Sequence, residues 1–414
     1  MNDLSLGLLY SGRMRSTLSL LLALGLGTSP AQERDFSEVK EVIEEFIAEG
    51  KLAGGAVLIR QHGKVIYHEN FGHRDLENQL PVEDDTLFRI YSMTKAFTSA
   101  AALMLCEEEK LSLDDPIDHY LPALKGRRVF RNDASPEMAQ RQTTVRDLLR
   151  HTSGDGSVWG GGRIHRIYRE NGVAKRDKPL SAMIEALGES PLFYQPGERW
   201  VYGLSTDILA AVIEASAGEP FEKVIQDRLL DPLKLSDTFY QVPQEKASRL
   251  AVNYRQKDDA LVIEDSASDS LYLADPPFKG GGSGLVSTIS DYARFLQMIA
   301  DGGVADGTRY LREDTVDLMR TNQLPRAIPC ISFGDHNQRH GTGFGLGFCV
   351  RYHADERWDP SAPIGEYGWG GAASTHYWIS PKDDLIVVTM EQTMPYNWNL
   401  EHSLKPLIYK AVRK

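Results

Sequence analysis

The stretch Leu87-Phe88-Arg89-Ile90-Tyr91-Ser92-Met93-Thr94-Lys95 passes from an extended pattern into a helix. Residues 87–91 read as extended chain. Residues 96–106 are almost wholly apolar or small, the composition of a helix buried on most sides. Ser92 and Lys95 stand three apart at the start of that helix, so they share a face. A lysine set against a buried helix is poorly solvated, and desolvation works against its charged form. A neutral amine within reach of a hydroxyl can take its proton and make the serine a nucleophile. Ser92 is therefore the candidate nucleophile and Lys95 the candidate base.

The spacing alone is not decisive, because Ser37-Glu38-Val39-Lys40 repeats it. There the serine reads as the N-cap of a helix over 38–48, with Lys40 on its solvated face. What separates the two copies is the apolar helix behind Lys95.

The chain has 414 residues, 42% hydrophobic and 25% charged, which allows one large or two medium globular domains. A net charge of −12 without a basic stripe speaks against a nucleic-acid partner. Three cysteines, Cys106, Cys330 and Cys349, are too few and scattered for a disulfide framework. Cys106 is expected in the core of the buried helix, while one Cys330–Cys349 bridge stays open. Arg13 and Arg15 precede an apolar run over 18–26, and Ser29-Pro30-Ala31 supplies small residues for cleavage. Residues 1–31 therefore read as a secretory signal, with Met1 or Met14 as the start, and imply a secreted or periplasmic protein. The run is short for a bilayer span, and no integral span is expected in the mature chain.

Residues 38–47 read as an amphipathic helix, and 53–60 with 64–69 as a hairpin around His62-Gly63. Residues 111–282 read mainly as helix and loop. Helices are expected at 144–149 (stopped by Gly154), 206–217 (stopped by Gly218) and 221–230. Residues 155–179, rich in Gly, Arg and Lys, read as a surface loop. With Trp159 and Tyr168, this loop is a candidate wall or lid of an acyl pocket. A helix at 290–300, strands at 344–352, 373–379 and 385–391, and a last helix at 400–412 follow. Strands thus lie at both ends and helices between. The expected fold is α/β (α+β). Residues 32–91 with 283–414 form one domain, 92–282 an inserted mainly helical domain, and the active site lies between them.

Five motifs now stand in order: Ser92-Met93-Thr94-Lys95; Thr144-Val145-Arg146-Asp147-Leu148-Leu149-Arg150-His151-Thr152-Ser153-Gly154; Pro196-Gly197-Glu198-Arg199-Trp200-Val201-Tyr202-Gly203-Leu204-Ser205; Gly282-Ser283-Gly284-Leu285-Val286-Ser287-Thr288; and Trp369-Gly370-Gly371-Ala372-Ala373. In these the chain resembles the serine hydrolases of the class C β-lactamase and penicillin-binding-protein superfamily, most closely the family VIII carboxylesterases. The resemblance implies a β-lactamase/transpeptidase-like fold, an antiparallel sheet flanked by helices. It implies that Ser92 forms an acyl-enzyme, that Lys95 is the general base, and that Tyr202 passes a proton to the leaving group. The backbone N–H groups of Ser92 and Ala372 would form the oxyanion hole. Trp369, Gly370, Gly371 and Leu204 would line the substrate site. The resemblance implies no metal and no cofactor.

Two departures bear on the substrate. β-Lactamases of this type carry Tyr-x-Asn where this chain has Tyr202-Gly203-Leu204, and Lys-Thr-Gly where it has Trp369-Gly370-Gly371. Loss of the amide-binding asparagine and of the carboxylate-facing lysine points to uncharged esters with short-to-medium acyl chains. The alternatives on the same fold are a β-lactamase, a D-amino-acid peptidase or an acyltransferase, and beyond them a non-catalytic binding protein. A Gly-x-Ser-x-Gly elbow is absent, against an α/β-hydrolase triad. His68 and His73 are five apart on a predicted strand, not four apart on a zinc helix. His151 is given no catalytic role, and His376 is expected on the surface of its strand. Oligomeric state is not legible.

Overall fold

The computed structural model describes residues 34–131, 135–334 and 337–413. The signal-like segment 1–31 lies outside them. Strand Gly54–Gln61 sends Ala56 and Leu58 to one face and Val57 and Ile59 to the other, and all four are buried. Strand Leu385–Glu391 repeats this, with Ile386, Val388 and Met390 on the first face and Leu385 and Val387 on the second. Strands apolar on both faces must be covered on both. The two pair antiparallel, Val57 opposite Thr389.

The sheet has eight strands. From one edge they run Thr342–Phe344, Cys349–Arg351, Tyr367–Gly370, His376–Ser380, Leu385–Glu391, Gly54–Gln61, Lys64–Asp75 and Leu80–Pro81, every neighbour antiparallel. Helices Ser37–Ala48 and Trp398–Val412 cover one face through Val39, Ile43, Leu404 and Ile408. Helix Ile289–Ala300 covers the other through Phe295, Leu296 and Ile299. Each such side chain contributes roughly 1.5–3 kcal/mol by burial. Helix Thr94–Glu107 packs into the same core as Ile289–Ala300, with eleven of its fourteen residues buried. The fold is thus α/β (α+β), an antiparallel sheet flanked by helices. No helix among the described residues is long and apolar enough to cross a membrane.

Several local expectations change. Phe36, not Ser37, occupies the first N-cap; Ser37 is already helical and its N–H donates to Asp35 Oδ1 at 2.9 Å. The helix over Val145–Leu149 starts at a Thr144–Asp147 capping box and ends at Arg150. His151 then turns the chain at φ +57°, ahead of Gly154. The expected loop 155–179 contains helix Arg163–Glu170, which buries Ile164 and Tyr168 four apart on one side. The segment 221–230 begins as α-helix at Phe221–Ile225 and widens to a π turn at Gln226–Leu230. The helical stretch also holds strands Asn253–Lys257 and Ala260–Asp265, joined by Thr393–Met394 into a three-stranded sheet. The expected strand 344–352 is two strands, because the chain reverses through Gly345 and Gly347, the latter at φ +115°. Residues 373–375 form a turn, and the strand starts at His376. His376 is 1% exposed, not a surface residue, because helix Trp398–Val412 covers that end of the sheet. All three cysteines are free, so Cys330 and Cys349 do not pair.

Candidate active site

Strand Phe88–Arg89 pairs with Val286–Ser287 and delivers the chain to Ser92. Tyr91 turns it sharply at φ +42°. That conformation costs a non-glycine residue on the order of 1–3 kcal/mol, and it persists only where the surroundings hold it. The Tyr91 hydroxyl accepts a bond from Asn253 Nδ2 at 3.1 Å. Ser92 follows in the short turn Tyr91–Met93 that leads into helix Thr94–Glu107.

Lys95 is buried on the first turn of that helix. Its Nζ donates to Ser92 Oγ at 3.2 Å and to Gly282 O at 2.6 Å. The Gly282 carbonyl is itself positioned. Gly282 N–H donates to Asp207 Oδ1 at 2.9 Å, Thr98 Oγ1 donates to Gly281 O at 2.8 Å, and Leu285 N–H donates to Thr94 Oγ1 at 3.2 Å. The glycine-rich segment is therefore laced along the Ser92 helix and aims the amine at the serine. Asp207 and the Gly282 carbonyl are functional groups that sequence reasoning missed. The glycines were visible, but nothing in the sequence tied their backbone to Lys95.

Tyr202 comes from the segment before helix Ser205–Ala217. Its hydroxyl donates to Ser92 Oγ at 2.7 Å. Trp369 Nε1 donates to the same hydroxyl at 3.3 Å, so Trp369 orients Tyr202 as well as lining the site. Lys95 Nζ stands 4.8 Å from the Tyr202 ring centroid. Serine, lysine and tyrosine thus meet at one oxygen, with both donors in hydrogen-bonding range.

His151 packs against Tyr202, Trp200 and Phe344, and Nδ1 has no partner among the described residues. Burial lowers its pKa from 6.5 to about 3. It is a neutral ring supporting Tyr202. The unfolded chain takes a proton near pH 6.5, whereas the folded ring resists down to about 3. Stability from this group is complete above pH 6.5 and falls as the pH drops toward 3, by on the order of 5 kcal/mol in the limit. A His151→Asn variant, whose side chain tolerates positive φ, is expected to lose this acid-dependent slope. Denaturant midpoints between pH 3 and 7 check it; an unchanged slope would mean that the ring is not kept neutral.

Strand Tyr367–Gly370 carries the third motif. A Cβ on Gly371 would lie 2.4 Å from the Ile90 carbonyl oxygen, so only glycine lets the motif rest against the chain entering Ser92. Gly371 N–H donates to Thr375 O at 2.7 Å and closes the turn. Ala372 N–H has no protein acceptor among the described residues. Ser92, Tyr202, Trp369, Gly370, Gly371 and Ala372 line one cavity of about 220 Å³. Leu204 does not. It is packed in the main core, 4% exposed, because its own N–H is drawn to Gly156 O at 3.1 Å. The loop after Gly154 contributes differently from expectation. Trp159 lines a second, open hollow that shares Tyr202 and Phe333 with the first. Tyr168 is fully buried, bonded to Arg127 and Asp155.

Set beside known proteins, residues 39–403 match the Beta-lactamase family model. Protein Rv1367c of Mycobacterium tuberculosis is 32% identical over 369 residues, covering 85% of this chain and 89% of that protein. Esterase EstB of Burkholderia gladioli is 27% identical over 377 residues, 85% and 89% of the two chains. The solved structure described as "EstCE1, a hydrolase with promiscuous acyltransferase activity" superposes with a TM-score of 0.78 at 24% identity, over 90% of this chain and 98% of that one. The fold, the order of the motifs and these matches lead to one assignment: the chain belongs to the Beta-lactamase family.

Proposed function

We propose that the protein is a serine hydrolase that cleaves carboxylic esters of short-to-medium acyl chains through an acyl-Ser92 intermediate. The observation that carries this reading is the double hold on Ser92 Oγ, by Tyr202 OH at 2.7 Å and Lys95 Nζ at 3.2 Å, at the wall of a cavity. Lys95 Nζ takes the Ser92 proton while Oγ attacks the ester carbonyl. The N–H groups of Ser92 and Ala372 receive the oxyanion. Collapse breaks the bond to the alcohol oxygen, which leaves with a proton from Tyr202, replenished by Lys95. Water, activated by the same pair, then releases the acid and frees Ser92. The active site lies between the sheet-bearing part, 32–91 with 283–414, and the helical part, 92–282. By the signal-like pattern of residues 1–31 the protein is exported to the periplasm or beyond, which the mass of the mature chain tests.

Similarity to a protein named as an esterase supports this chemistry, as does the absence of the asparagine and lysine that β-lactamases carry. Acyl transfer to an alcohol shares every step up to the acyl-enzyme. The deciding measurement sets 4-nitrophenyl butyrate beside nitrocefin. Ester turnover is expected to exceed nitrocefin turnover by at least about a hundredfold in kcat/KM. Dominant nitrocefin turnover would overturn the reading, and adding an alcohol acceptor separates hydrolysis from transfer.

A further inference from the structure

The Ser92 cavity contains a guanidinium without an anionic partner among the described residues. Arg339 belongs to the short hairpin of Ile331–Ser332 and Gln338–Arg339, and it lines the same cavity as Ser92, Tyr202 and Trp369. It is 4% exposed. Its Nε and Nη2 have no hydrogen-bond partner among the described residues. Four rings surround the guanidinium carbon, with centroids at 4.1 Å (Trp398), 4.4 Å (Phe333), 4.9 Å (Trp358) and 5.7 Å (Trp369). Ring faces attract a cation, but they do not satisfy in-plane N–H donors. A buried donor left unmade is costly, so this arrangement is poised for an acceptor.

The Cys349 sulfur is a weak hydrogen-bond partner, and no described neighbour provides an anion. The Cys349 thiol lies in the same cavity, and burial pushes its pKa up to about 12, so it is neutral. Asp359 and Glu366 are taken by Lys405 Nζ at 2.6 and 2.7 Å. Glu401 accepts from Tyr396 OH at 2.9 Å and stands 3.5 Å from Lys405. Burial works against the charge on Arg339, and Cys349, Glu401 and Tyr396 offset it only in part. Among the described residues the acidic groups of this cavity are thus already engaged, while the guanidinium has no anionic partner.

We propose that Arg339 recognises an anionic group of the substrate, and that the preferred ester carries a carboxylate on its acyl chain or on its alcohol. This rests on ester cleavage at Ser92. One indole ring relates the two points: Trp369 donates to Tyr202 OH through Nε1, and its centroid is 5.7 Å from the Arg339 guanidinium. An ester held at Ser92 therefore has a charged partner within the span of a small substrate. The missing lysine of the third motif does not leave the cavity without a cation; a different strand supplies one. In this proposal a charged ester takes the place of the uncharged one expected from the missing asparagine and lysine. A guanidinium suits a carboxylate because both are planar and can pair through two bonds.

The test uses matched substrates. 3-Carboxyphenyl butyrate is compared with 3-carbamoylphenyl butyrate, and the 4-nitrophenyl monoester of adipic acid with that of adipamic acid. The first pair places the carboxylate on the alcohol, the second on the acyl chain. In wild type, one charged ester is expected to exceed its amide by about tenfold or more in kcat/KM, mainly through KM. Arg339→Met is expected to erase that preference, lowering kcat/KM on the charged ester by about tenfold more than on its amide. Arg339→Lys should retain part of it. Equal turnover of both pairs by the wild type, or equal losses on charged and neutral esters in Arg339→Met, would mean that Arg339 only braces the four rings. If the Met variant does not fold, the wild-type comparison decides. If no ester of either charge is turned over, the hydrolase reading fails separately. Calorimetric binding of adipate and 3-hydroxybenzoate to wild type then decides the anion site, with no heat for either ligand overturning it.

Discussion

Ser92→Ala is expected to lower kcat on 4-nitrophenyl butyrate by about 10⁴-fold or more, the scale seen when a covalent nucleophile is removed. The loss should be chemical and not structural. Deleting Oγ leaves Lys95 Nζ bonded to Gly282 O, and leaves Tyr202 OH accepting from Trp369 Nε1. Stability should therefore move by only about 1 kcal/mol. The residual rate would come from the oxyanion donors and from binding alone. Wild-type protein should gain the mass of one phosphonyl group from a fluorophosphonate probe, mapped by peptide to Ser92, and the variant should gain none. Ester turnover within a hundredfold of wild type in Ser92→Ala would sink the acyl-serine mechanism.

The second large effect concerns Lys95. Lys95→Met keeps an unbranched apolar stem as far as Cε and removes the amine. A fall in kcat of roughly 10³–10⁴-fold is expected, the range for losing a positioned general base. Fluorophosphonate labelling of Ser92 should slow in parallel, because the base acts on the first proton transfer. Here stability should suffer too. The Gly282 carbonyl loses its partner in a buried setting, at about 1–3 kcal/mol. Thermal unfolding of the variant separates that cost from the catalytic one. Labelling at the wild-type rate would move the base role to Tyr202, the other group within hydrogen-bond distance of Ser92 Oγ.

Where sequence reading failed, one physical cause recurs. Ser92 and Lys95 were legible because helix geometry alone places residues three apart on one face, and the run 96–106 showed which face was buried. His376 was misread because one strand cannot show whether its second face is covered; helix Trp398–Val412, remote in sequence, covers it. Ser37 lost the cap to its neighbourhood, where Asp35 offers the acceptor two residues earlier. Leu204 lies in the right motif, but its side chain turns into the core once Gly156 O holds its N–H.

The sequence by itself determined the family, the antiparallel strands of the two chain ends, and the order in which Ser92, Tyr202 and the third motif arrive. Those are local: they depend on period, on turn residues and on motifs contiguous in the chain. Only the tertiary structure decided what surrounds them. Asp207 and the Gly282 carbonyl aim Lys95 from 112 and 187 residues further along, counted from Lys95 as 207 − 95 and 282 − 95. Trp369 reaches back across 167 residues to orient Tyr202. Arg339 joins the site because four rings from separate segments close around it. Such contacts carry no periodic signal, because they arise only when packing brings distant backbone together. They also set which charged groups line the cavity.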